Sequence, residues 1–140
     1  MVTLADVYSA LEETNANVNI WQHPLCDATT IEIGGKYDIF LNPDKNRTIA
    51  DMKTKLIHEW GHCASGATHC LHSPYQLIAQ NEYKANRYAY EKFLPFAEIK
   101  KAVRNGLTEY WQLAEYFNLN EEFIRNAVHY YKDIKQLPFD

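Results

Sequence analysis

The stretch "LIHEWGHCASG", residues 56 to 66, places two histidines four positions apart, His58 and His62, with Glu59 directly after the first. Four positions on an α-helix turn through about 400°, so the two imidazoles project from one face, one above the other. Two ring nitrogens so arranged can share one ion. Zinc takes imidazole nitrogen at about 2.0–2.1 Å, and a hydrolytic zinc keeps three protein ligands and an open fourth position. Glu59 lies about 100° round the helix from His58. It is poorly placed as a third ligand and well placed to lean over a water at the open position. Two ligands and one base on a single turn are the mechanical content of the H-E-x-x-H pattern. Gly61 sits inside the motif at a cost of about 1 kcal/mol against alanine, which predicts that room is needed there.

The third ligand sets the kind of site. A continuation as H-E-x-x-H-x-x-G-x-x-H would need glycine and histidine where this chain has Ser65 and Thr68; Gly66 and His69 each come one residue late. The other route takes a carboxylate from the next helix, and "QNEYKANRYAYEKFLP" offers Glu82 near its middle. Asn86, one turn on, shares the face of Glu82 and can orient a ligand through a hydrogen bond. Glu91 beside Lys92 reads as a surface charge, and His69 and His72 as loop residues. Cys63 and Cys70 fit no closed four-ligand spacing, so a structural zinc is disfavoured and they read as small buried residues.

These residues need elements to hold them. Thr3 with Asp6 resembles a capping box, and Leu4, Val7, Tyr8 and Leu11 follow at helical spacing. Residues 17 to 21 read as a short strand. In "TIEIGGKYDIFLN", residues 30 to 42, alternating residues flank Gly34-Gly35, a hairpin signature. Thr48 with Asp51 opens the helix of the histidine pair, and Gly66 closes it. Ser73-Pro74 opens the next, which runs to about Phe93 ahead of Pro95. Shorter helices follow at about 96 to 104, 108 to 117 and 120 to 135. Helix, small antiparallel sheet, then helices is an α+β layout, and 140 residues are expected to form one domain. The third strand is expected to supply the sheet edge along which an extended substrate lies.

Composition removes other classes. A net charge of −4 gives no basic face for nucleic acid. No apolar run approaches the ~20 residues of a membrane span, and the opening residues do not read as a secretory signal. Three cysteines without a CxxC point to a reduced, cytoplasmic thiol set. "LAEYFNLNEEFIRNAV" has the outline of a helix-turn-helix, but Glu121, Glu122 and Asp133 offset Arg125, Lys132 and Lys135, so packing or partner docking is the better reading. Tyr130 and Tyr131 read as core or interface residues; neither they nor His129 is assigned to an oxyanion.

With both motifs in view, the sequence resembles the ImmA/IrrE family of metallopeptidases. His58, Glu59, Gly61 and His62 match that family's H-E-x-G-H helix. Glu82, Ala85, Asn86, Ala89 and Pro95 match its later segment, with Tyr88 where the family usually has phenylalanine and Lys92-Phe93 where it usually has paired leucines. The resemblance spans roughly residues 30 to 130. It implies a small zincin-like domain, a gluzincin-type peptidase with one zinc on His58, His62 and Glu82, and Glu59 as the general base. It further implies a protein substrate, a helix-turn-helix repressor encoded by a prophage, mobile element or stress circuit. The alternative from another class is a metal-binding antirepressor that sequesters its regulator without cutting it.

Overall fold

The computed structural model describes residues 1–22, 26–66 and 75–139, so Cys70, His69, His72 and the proposed Ser73-Pro74 helix start lie outside the described residues. Among the described residues the architecture is α+β, a small three-stranded sheet set between an N-terminal helix and five further helices.

Helix α1 spans Leu4–Glu13 and begins on a complete capping box: the Thr3 hydroxyl accepts from the Asp6 amide, and the Asp6 carboxylate accepts from the Thr3 amide. It buries Val7, Ala10 and Leu11. Strands β1 (Ala16–Ile20), β2 (Ala28–Ile33) and β3 (Lys36–Leu41) form one sheet in the order β1-β3-β2. The turn between β2 and β3 is Gly34-Gly35 with φ of 58° and 80°, values that suit glycine and match the twist of a tight hairpin. The third strand is therefore not the edge. The sheet is also mixed where an antiparallel one was expected: β1 pairs parallel to β3 on the side away from β2, so β3 is central and β2 is the edge beside the histidine helix. Alternation along the hairpin cannot distinguish these arrangements, because a distant strand decides which side of β3 is covered.

Helix α2 (Ile49–Ser65) starts at Thr48, whose hydroxyl accepts from the Asp51 amide, and ends at Gly66 in the left-handed region. Its apolar side, Leu56, Ile57, Trp60 and Cys63, joins the core with Ile39 and Leu41 of β3. The Trp60 indole donates to the Ala10 carbonyl, and the buried Lys53 ammonium donates to the Val2 carbonyl, pinning both ends of α1 to α2. Helix α3 (Tyr75–Phe93) lies directly on α2. A Cβ added to Gly61 would stand 2.1 Å from the Ala85 carbonyl oxygen, so the two backbones touch there and only glycine fits.

The remaining helices, α4 (Phe96–Arg104), α5 (Tyr110–Phe117) and α6 (Glu121–His129), complete the far side, and α6 continues as a π turn over Tyr130–Ile134. Between α5 and α6, Asn120 anchors the corner to α2: its amide N–H donates to Thr54 Oγ1 and its side chain to Asp51, both at 3.0 Å. Phe123, Ile124 and Ala127 of the helix-turn-helix-like segment are buried in the core. Tyr130 and Tyr131 are also buried, with hydroxyls given to Glu91 and to the Leu94 carbonyl. Among the described residues, no helix is long and apolar enough to cross a membrane.

Candidate metal centre

The contact between α2 and α3 brings the sequence's chemistry together. Glu82 reaches back from α3 so that Oε2 lies 2.9 Å from His58 Nε2 and Oε1 lies 3.0 Å from His62 Nε2. The three donor atoms lie within 4.8 Å of one another, and His58, His62 and Glu82 form a group that can hold a metal ion. Two ligands at 2.0–2.1 Å from a tetrahedral ion stand about 3.3 Å apart, and each histidine lies somewhat nearer than that to one of the two Glu82 oxygens. The fit extends to the chemistry of the donors. His58 Nδ1 lies 2.8 Å from Asn86 Oδ1, which can only accept, so the Nδ1–H is donated there and Nε2 is the nitrogen left to face Glu82 and, with an ion bound, to coordinate it. Hydrogen bonds from both histidines hold the Glu82 carboxyl well below the usual carboxylate range, keeping it anionic.

Glu59, on the same turn, is 6% exposed and takes no part in that trio. Its Oε2 accepts from Thr30 Oγ1 at 2.5 Å across the gap between α2 and β2. A cleft of about 300 Å³ opens here, floored by His58, Glu59, His62 and Glu82 and walled by residues 26–30. At its rim Lys55 pairs with Asp27 at 2.9 Å.

The β2 wall has a defined polarity. The Asn42 amide donates to the Asp27 carbonyl, so residues 27 and 42 form a hydrogen-bonded pair of the antiparallel ladder. Alternation then gives Thr29, Ile31 and Ile33 to β3, and turns the N–H and C=O groups of Ala28, Thr30 and Glu32 away from β3, towards the outer edge of the sheet.

The sequence-derived residues therefore gather in one place: His58, His62, Glu82, Asn86 and Glu59. Glu91 is exposed on α3 and accepts from the Tyr130 hydroxyl, away from the trio. With their hydroxyls committed, Tyr130 and Tyr131 offer no donor to the cleft, and the exposed His129 pairs with Asp133. Cys63 is a buried thiol pushed up to about 12, by burial first and the Glu59 charge second, and it is not part of the trio. Sequence reasoning missed Thr30, for which β2 supplied only strand periodicity. The sequence showed that Gly61 makes room but not for what: the room is taken by the α3 backbone at Ala85. No protein-family model, curated protein or solved structure matches this chain.

Proposed function

We propose that the chain is a zinc-dependent endopeptidase. One observation carries the reading: a three-donor group with room for a further ligand shares its cleft with a carboxylate outside that group, Glu59, and with β2, an edge strand of the described sheet. Two imidazoles and a carboxylate suit zinc. Bound there, zinc supplies Lewis acidity towards a peptide carbonyl and brings a water near neutrality as a nucleophile. The chain's own residues do the rest. His58, His62 and Glu82 fix the ion, and Asn86 fixes the tautomer of His58. Glu59 accepts the proton of the attacking water and delivers it to the departing amine. Ala28 and Thr30 offer backbone groups with which an extended peptide can pair, as strands do at open sheet edges.

The resemblance to ImmA/IrrE peptidases supports a helix-turn-helix repressor as the substrate, cut in the cytoplasm to release its genes. The test is co-expression with a repressor encoded beside this chain, followed by intact-mass analysis. Two repressor fragments with the wild type, and full-length repressor with Glu59→Gln, are expected. Full-length repressor with both, while repression is still relieved, would refute hydrolysis and leave the antirepressor reading.

A further inference from the structure

The Thr30 hydroxyl donates a hydrogen bond from the edge strand to the proposed base, and the β2–β3 ladder makes no use of that hydroxyl. In a plain hairpin, valine would serve the position equally, since both are β-branched residues with strong strand preference. Here the side chain turns towards α2 and donates to Glu59 Oε2. The backbone N–H and C=O of the same residue face the outer edge of the sheet, as the ladder register requires. One residue thus touches the base with its side chain and presents its main chain to whatever pairs with β2.

We propose that Thr30 is a positioning residue that sets the register of a bound peptide strand against Glu59. The inference rests on the peptidase reading of this cleft. A glutamate side chain has three rotatable bonds, and a carboxylate swinging about them does not hold an oxygen over one point. With Oε2 taken by Thr30, rotation is arrested and Oε1 is left for the water. A strand hydrogen-bonded to the Thr30 main chain is placed relative to that same oxygen, because base and strand are referenced to one residue. The alignment lasts only while the hydroxyl is present. Errors of about 1 Å in such alignment cost on the order of 10²-fold in rate.

The experiment uses the full chain, zinc-loaded, acting on a pool of internally quenched peptides. Thr30→Val keeps the shape and removes the donor. Turnover should fall by about 10–10²-fold with KM nearly unchanged, because main-chain pairing survives, and zinc content should stay at the wild-type level. Thr30→Ser should recover most of the rate. A readout without turnover comes from the metal-free protein: Thr30→Val should lower Tm when Glu59 is present and leave it unchanged in a Glu59→Leu background. Unchanged turnover in Thr30→Val, or an equal loss of Tm in both backgrounds, would overturn the proposal. If the wild type itself cuts no peptide, the peptidase reading fails instead, and the metal-free comparison still decides whether Thr30 holds Glu59.

Discussion

The α2–α3 seam and the β2 rim face each other across one cleft and are built on opposite terms. At the seam, backbone meets backbone: Gly61 has no room for even a methyl group, and Ala85 and Ala89 beside it are fully buried. At the rim, the outer half of β2 is exposed, Ile31 at 46% and Ile33 at 70%, and its hairpin glycines have open space around them. A metal needs ligands held to fractions of an ångström, which a close-packed helix pair supplies. A peptide substrate needs unpaired main-chain groups, which only an uncovered strand supplies. The cleft joins the most constrained part of the fold to one of the least.

The strongest way to break this contrast is Gly61→Ala. The added methyl meets the Ala85 carbonyl at a distance no packing allows, so the helices must part. Overpacking of this kind costs about 1–3 kcal/mol, and Glu82 should leave the histidines, so stability and zinc affinity should drop together. Gly35→Ala, at φ of 80° in open space, should cost about 1 kcal/mol through its backbone alone and leave zinc affinity intact. Denaturant melts and zinc titrations on both variants check this.

Next in size are the donors. Glu82→Gln removes an anionic ligand and should weaken zinc more than Asn86→Ala, for which a loss of ~10–100-fold is expected from the missing support to His58. Competition with a zinc-binding dye ranks them. If Asn86→Ala proves the more damaging, Glu82 is not a ligand.

The rim calls for a different probe. Ala28→Pro, at the first residue of β2, removes an N–H that the ladder parity turns to the outer edge of the sheet without touching the β2–β3 ladder. Peptide hydrolysis should fall several-fold while zinc content and melting temperature hold. A matching loss of zinc would mean that the edge is part of the metal scaffold.

The smallest expected effect is at Cys63. With its pKa near 12, the thiolate fraction at pH 8 is about one in 10⁴. Alkylation of the folded chain should therefore spare it; rapid labelling would show that the seam opens.

The two regions also differed in how much their sequence revealed. The seam was largely legible. His58, His62 and Glu82 carry chemistry in their identity, and helical period alone says that His58 and His62 share a face. Thr48, Gly66 and the Gly34-Gly35 turn likewise announce themselves, because caps and positive φ restrict residue type. The rim was not legible. Which strand forms the edge depends on β1 pairing with β3 across some twenty residues of chain, and the partner of Thr30 lies 29 positions away on another element. Gly61 shows the boundary between the two cases: its need for space was readable, but the Ala85 carbonyl that fills the space was not.

The central claim, that Glu59 is a base acting beside a metal rather than part of the metal's cage, is tested most directly by Glu59→Gln with two readouts on one preparation: zinc per chain by elemental analysis, and hydrolysis of the quenched peptide pool. The account predicts about one zinc per chain, as in the wild type, with hydrolysis reduced by ~10²–10⁴-fold or more. Loss of zinc together with activity would make Glu59 a ligand. Full zinc with undiminished hydrolysis would place the base elsewhere and contradict the account.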